Sequence, residues 1–450
     1  MLKKVENIHF IGIGGSGMSG IAEVLINLGH KVSGSDLKKT ETTERLKSMG
    51  AKIFIGHNPK NIKNAEVAVI STAVQKSNPE VKAARQNKIP VIRRVEMLAE
   101  LARLKYCITI AGTHGKTTAT SMTAMVLSEG GLDPTVVVGG RLKNINTGAR
   151  LGKGDYLVAE ADESDGSFLK LSPAVTVVTN IDNDHLDYYK TMDNLKNAFV
   201  EHINSVPFYG AAIICSDDKI VVEIIPQIRR KYITYGFKGN PDLKASDVKI
   251  MNGYTTFEVF YKNKKLGRAR IRVPGMHNIL NSLAAIGVGL QLGIPFKTII
   301  KGIYNFDGVG RRLEIKGEKN GVLVIDDYGH HPTEVKATIS AIKHFWAKRK
   351  LIVLFQPHRY TRTQNLFKEF GESFNGADLV EVLDIYSAGE KSIKGVSADL
   401  ICNELKKNKI KAQKYTGAKN LADNVFSGCI VLTLGAGDVW KEGEKLLTLI

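Results

Sequence analysis

The chain has 450 residues, 43% of them hydrophobic and 24% charged, with a formal net charge of +18. That length exceeds what one hydrophobic core serves, so roughly two to four domains are expected in a globular protein. No apolar run approaches the ~20 residues of a membrane span, and the N-terminus lacks the apolar core and cleavage site of a signal peptide.

The lysines are dispersed, with no dense basic tract and no aromatic stacking motif, which argues against nucleic acid as a partner. A basic field instead favours small polyanions such as nucleotides. Cys107, Cys215, Cys402 and Cys429 are scattered and form no C-x-x-C pair. They read as reduced core residues of a cytoplasmic protein.

Residues 8–13 read as a strand running into IGIGGSGMSG. Gly12, Gly14 and Gly17 fit G-x-G-x-x-G, with Gly15 and Ser16 in the same loop. A helix over 19–28 and a strand over 31–35 follow, with Asp36 at the strand's end. The acidic residue about 20 positions on completes a dinucleotide fingerprint. The glycines, however, specify only close approach of a diphosphate to a helix N-terminus. A UDP-sugar offers that group as well as NAD does, and a tight turn without ligand is the plainer alternative. Strands over 53–55, 67–71 and 90–92 alternate with helices over 42–49 and 79–87. This is an α/β domain, and a helix over 95–104 leads out of it.

Residues 107–111 are a short apolar, β-branched run, hence a buried strand. Gly112-Thr113-His114-Gly115 is a tight loop, and Lys116-Thr117-Thr118 opens a helix that stops at Gly130-Gly131. The generic G-x-x-x-x-G-K-[ST] pattern would need glycine where Ile110 stands. The chain carries a shorter G-x-x-G-K-T. Strand, glycine loop, lysine-threonine and helix together make a phosphate cradle: backbone N–H groups face the anion, the lysine neutralises it and a hydroxyl reaches Mg²⁺.

A strand over 156–159 ends in Glu160-Ala161-Asp162-Glu163-Ser164-Asp165. Another, over 175–179, ends in Asn180-Ile181-Asp182-Asn183-Asp184-His185. Ligands of parallel sheets bind at such carboxyl ends. Thr117, Glu160 and His185 are therefore candidate metal contacts, although imidazole is an unusual ligand for a cation as hard as Mg²⁺. A solvated acidic loop is the alternative for either cluster alone. Residues 245–273 alternate apolar with polar, and Asn252-Gly253 marks a hairpin, so an antiparallel β insertion packed on the central domain is expected. His277, Asn278 and Asn281 open the next helix. An N-cap with a polar surface explains them as readily as a ligand does.

Residues 306–312 form a glycine-punctuated basic linker. Apolar runs over 322–326, 351–355, 379–383 and 429–434 then alternate with helical stretches, giving a third α/β domain. Two of its strands end in DYGHHP and QPHRYTR. Their spacing matches no standard zinc pattern, and a substrate-facing edge fits better.

Taken together, GIGGSGMSG, AGTHGKTT, EADESDGSF, NIDNDHLDYY, GMHNILNSLAA, GVGRRLE, DDYGHHPTEV, FQPHRYTRT and LGAGDVW resemble the Mur ligase family, in that family's order and over essentially the whole chain. The resemblance implies three α/β domains. A Rossmann-like domain over 1–104 would bind UDP-N-acetylmuramate, with no NAD. A central P-loop ATPase-like domain with an antiparallel β insertion, over 105–310, would bind ATP with Mg²⁺ or Mn²⁺. A C-terminal Rossmann-like domain over 311–450 would close over it and help bind L-alanine.

The resemblance further implies ligation of L-alanine to the lactyl carboxylate of the nucleotide sugar through an acyl phosphate. That is a cytoplasmic step of peptidoglycan precursor synthesis, carried out by a monomer or homodimer. Lys116, Glu160 and His185 would be catalytic. Gly112, Thr113, His114, Gly115, Lys116, Thr117, Thr118, His277, Asn278, Asn281, Arg311 and Asp326 would face ATP. Gly12, Gly14, Gly15, Ser16, Gly17, Asp36, His330, His358 and Arg359 would face the other substrates. Relatives that add later amino acids use a carbamylated lysine, for which this chain offers no compelling candidate. Two alternatives stay open: a recycling ligase that attaches a preformed tripeptide, whose branch usually departs from G-x-G-G-x-G-M-S-G, and an NAD-dependent dehydrogenase carrying a P-loop module.

Overall fold

Short apolar runs bounded by glycine become parallel strands, and the amphipathic stretches between them become the crossovers that cover both sheet faces. A computed structural model of the chain describes residues 4–71, 73–142, 147–251 and 253–450. It divides into two compact units. The first comprises Met1–Val248, Phe257–Arg270 and Leu280–Asp307; the second comprises Lys249–Thr256, Ile271–Ile279 and Gly308–Ile450.

The first unit opens with β1 (Asn7–Ile11), β2 (Lys31–Asp36), β3 (Lys52–Ile55), β4 (Val67–Ile70) and β5 (Val91–Arg93), in the order β3-β2-β1-β4-β5. Every pairing is parallel. The order reverses at β1, so a crevice forms at its carboxyl end, where the first glycine loop emerges. The helix after that loop spans Ser16–Asn27 and so begins three residues before the expected start.

The central sheet contains β6 (Tyr106–Ala111), β7 (Thr135–Leu142), β8 (Thr147–Arg150), β9 (Tyr156–Ala161), β10 (Val175–Val178), β11 (Ala211–Cys215), β12 (Tyr232–Gly236), β13 (Leu243–Met251), β14 (Tyr254–Tyr261) and β15 (Lys264–Ile271). Their order is β15-β14-β13-β12-β11-β10-β6-β9-β7-β8. β6 lies between β9 and β10 and is parallel to both. The expected β insertion is formed by β13, β14 and β15, which continue the edge of this sheet. Asn252 of the expected turn lies outside the described residues.

The second unit holds β16 (Glu314–Lys319), β17 (Val322–Asp327), β18 (Lys350–Phe355), β19 (Leu379–Val382), β20 (Ala412–Lys414) and β21 (Cys429–Leu434), in the order β16-β17-β21-β18-β19-β20. β16 is antiparallel and the rest are parallel. The four cysteines are free and buried, and burial pushes the Cys107 thiol up to about 12. No helix among the described residues is long and apolar enough to cross a membrane.

Candidate active site

The expected phosphate cradle forms at the carboxyl end of β6. Gly112 and Gly115 have φ of 127° and 82°, where a side chain is strained. A Cβ on Gly112 would also lie 2.1 Å from Thr179 Oγ1. The helix Lys116–Glu129 starts at Gly115 with no side-chain cap, so its first N–H groups are not taken by a capping side chain. Thr118 is buried in its first turn.

The loop is held by the segment that follows β10. Thr113 N–H donates to the Asn180 carbonyl at 3.1 Å, and Asp182 N–H donates to Thr113 Oγ1 at 2.9 Å. His114 N–H donates to Asn180 Oδ1 at 2.8 Å, and the His114 ring meets Asp182 Oδ2 at 3.0 Å. The His114 carbonyl accepts from Thr179 Oγ1 at 2.7 Å and Asn180 Nδ2 at 3.0 Å. Much of the second polar cluster therefore supports the loop.

Lys116 Nζ donates to the Gly112 carbonyl at 2.6 Å and the Thr113 carbonyl at 3.2 Å, and meets the Glu163 carboxylate at 2.8 and 3.1 Å. Burial alone would lower the pKa of the ammonium, but Glu163 and Asp162 outweigh it and hold the group above its usual range. Glu163 is 1% exposed, and its carbonyl accepts from Tyr189 Oη at 2.6 Å. His185 Nε2 lies 3.9 Å from the same carboxylate and 3.7 Å from Asp184.

Glu160 sits inside β9, in register with Ile110 of β6. Its Oε1 accepts the Gly139 N–H at 3.0 Å, and Thr117 hydrogen-bonds its carboxyl. Burial raises its pKa, only partly offset by Gly139, Thr117 and Lys116. A half-buried carboxylate beside a hydroxyl is a hard oxygen donor pair that a divalent cation would stabilise in its charged form, so these residues fit Mg²⁺. Asn281 also joins the cradle, since a Cβ on Gly115 would lie 2.6 Å from its Oδ1.

At the first glycine loop, Gly12 and Ile13 N–H groups donate to the Ser35 carbonyl at 2.8 and 3.0 Å. Asp36 Oδ2 accepts the Gly14 N–H at 2.9 Å. This acidic residue therefore supports the loop itself. Gly15 precedes the helix, and the Ser16 side chain lies outside what is described. Gly17 leaves room for Arg94, whose Nη1 would be 2.9 Å from a Cβ there. Arg94 Nη2 also lies 3.7 Å from Asp162. Burial raises the Asp162 pKa, but Lys116, the Ser164 N–H and Arg94 bring it below the usual range.

Sequence reasoning assigned no role to Arg94 or Glu163. Both were visible as charged residues next to motifs, but nothing in their spacing announced the pairings.

In the second unit, Asn278 is buried and His277 half-buried at the helix start. Asn278 Nδ2 donates to the Pro274 carbonyl at 2.6 Å, and burial with Arg312 nearby lowers His277 to about 4. Arg311 and Asp326, both expected to face nucleotide, face each other at 3.0 Å. Arg311 further donates to the carbonyls of Gly435 at 2.7 Å and Gly437 at 3.0 Å. Asp326 is buried and accepts from Thr433 Oγ1 at 2.7 Å. This pair holds the linker to the β21 loop.

His330 and His358 are brought together, with ring centroids 5.5 Å apart, and His358 stacks on Tyr386. Burial, with further contributions from neighbouring charges, lowers them to about 4 and about 3. Arg359 precedes the next helix at φ 71°, its N–H on the Tyr386 carbonyl.

A lysine-bearing phosphate loop at the carboxyl end of a parallel sheet is the mark of a nucleotide-binding α/β protein, and the chain belongs to the Mur ligase family. Residues 7–106 match the "Mur ligase family, catalytic domain", 110–289 the "Mur ligase middle domain" and 311–437 the "Mur ligase, glutamate ligase domain". The chain is 67% identical to the UDP-N-acetylmuramate–L-alanine ligase of Endomicrobium trichonymphae, over all of both chains. It is 54% identical to the enzyme of that name from Geotalea uraniireducens, over 99% of this chain and 98% of that one. Its fold is similar to the crystal structure of UDP-N-acetylmuramate-alanine ligase from Thermotoga maritima, with a TM-score of 0.84, 28% identity and 98% of each chain covered.

Proposed function

We propose that this chain is an ATP-dependent ligase that joins L-alanine to the lactyl carboxylate of UDP-N-acetylmuramate. The observation that carries the reading is the cradle around Lys116 in a chain alike, end to end, to relatives bearing that name. A carboxylate resists an approaching amine because its charge opposes the lone pair. Transfer of the γ-phosphoryl of ATP makes an acyl phosphate with a good leaving group, which the unprotonated amine of L-alanine attacks to release phosphate.

The loop 112–115 and the first turn of its helix would receive the triphosphate, and Lys116 would offset charge on the moving phosphoryl. Thr117 and Glu160 would hold Mg²⁺, which when bound neutralises phosphate charge. His185 stands near enough to Glu163 to complete that side of the site. Gly12, Gly14 and Gly17 would admit the diphosphate of the nucleotide sugar, with Arg94 alongside. His330, His358 and Arg359 are assigned to the amino-acid side. The free buried cysteines support a reducing, cytoplasmic setting.

The test is phosphate release with ATP and each acceptor pair. Release that needs both UDP-N-acetylmuramate and L-alanine supports the reading. Release only with a preformed tripeptide, or hydride transfer to NAD, overturns it.

A further inference from the structure

Behind the first glycine loop lies a buried carboxylate to which the reaction gives no task. Glu80 is 0% exposed. It accepts from Ser35 Oγ at 2.5 Å, Asn61 Nδ2 at 2.6 Å, the His57 ring at 3.1 Å and the Asn58 N–H at 3.3 Å. His9 Nε2, also buried, lies 3.9 Å away. Burial works against the charge, yet these donors win, and Glu80 is lowered to about 2.

The donors come from separate pieces of chain: the end of β2 and the segment after β3, with Glu80 itself on the first turn of the helix Pro79–Gln86. An ionised carboxylate that gathers such pieces needs a reason, because burying it is costly unless its bonds are complete. Ser35 supplies the connection. Its hydroxyl is held by Glu80, while its carbonyl carries the Gly12 and Ile13 N–H groups. The next residue, Asp36, carries the Gly14 N–H. The glycine loop thus rests on β2, and Glu80 fixes where β2 ends.

We infer that Glu80 is a positioning residue for the first anion pocket, acting through Ser35 to set the glycine loop for a nucleoside diphosphate. The inference rests on the reading that this pocket takes the nucleotide sugar. Glu80→Gln tests it, because the amide keeps the volume but turns an NH₂ toward a shell made of donors. Steady-state kinetics should show KM for UDP-N-acetylmuramate raised about tenfold, with kcat and KM for ATP changed less than twofold. UDP alone, titrated calorimetrically, should weaken by a similar factor.

Glu80→Asp should recover part of the loss by restoring the charge. A merely structural role would lower the active fraction, and hence kcat, while leaving each KM in place. Should Glu80→Gln not fold, Ser35→Ala removes the connecting hydroxyl, and the same selective KM change is expected. Unchanged KM for the nucleotide sugar in the folded variant overturns the inference. Wild-type turnover that does not depend on the nucleotide sugar overturns instead the reading on which it rests.

Discussion

Lys116→Ala separates two roles of one side chain. The lysine fills little core volume, so loss of a phosphate contact would by itself leave the fold untouched. The structure adds a second consequence, because Glu163 is 1% exposed and Lys116 is its cationic partner. Removing one member of a buried pair costs about 3–5 kcal/mol, since the other charge stays buried and unpaired. Lys116 itself is 16% exposed, so the lower end, about 3 kcal/mol, is expected. At roughly 2–3 °C per kcal/mol for a unit of this size, the transition should fall by about 6–9 °C.

The assay is thermal unfolding of the ligand-free protein alongside phosphate release. Lys116→Ala should lose both ligation and that stability. Lys116→Met combined with Glu163→Gln should lose ligation but regain most of the stability, because no charge is left stranded. A Lys116→Ala variant that melts within 1 °C or so of wild type would refute the claim that the pair stabilises the loop.

Glu160→Gln should raise the Mg²⁺ concentration for half-maximal turnover about tenfold or more, since a neutral amide loses the charge that attracts the cation; an unchanged Mg²⁺ titration removes Glu160 from the metal's surroundings. Stability should also fall on acidification. His202 is buried between Thr109 and Thr176 and is lowered to about 4 by burial, so the unfolded chain takes up a proton first. Its contribution is complete above the unfolded value of about 6.5 and is lost as pH falls toward 4, with about 2 kcal/mol gone between pH 7 and pH 5. His277, His330 and His358 act with the same sign. Urea midpoints at the two pH values check this, and a flat profile contradicts it.

Periodicity located the elements that begin or end in strong signals. The strand into Gly112, the helix from Lys116 to its Gly130 stop and the strand ending beside Asp36 all appear where spacing put them. Periodicity assigns no element to β7, whose valine run is interrupted by Gly139 and Gly140. Glycine in a strand also marks close approach, and Gly139 is where Glu160 comes in, with a Cβ there 3.0 Å from its Oε2. The candidate site divides the same way. Residues in the glycine motif were legible because backbone geometry dictates them. Glu163, Arg94 and Glu80 were not, because each is defined by a partner 45 or more positions distant, as Ser35 is from Glu80.

The bonds between loop 112–114 and residues 179–182 carry one more implication. The glycine-lysine signature is not a self-contained cassette. Grafted into a foreign sheet, residues 107–118 would bring the lysine but lack the braces that the neighbouring strand's tail provides through Asn180 and Asp182. Any transplant, or any comparison that scores the short motif by itself, has to treat the two segments as one object.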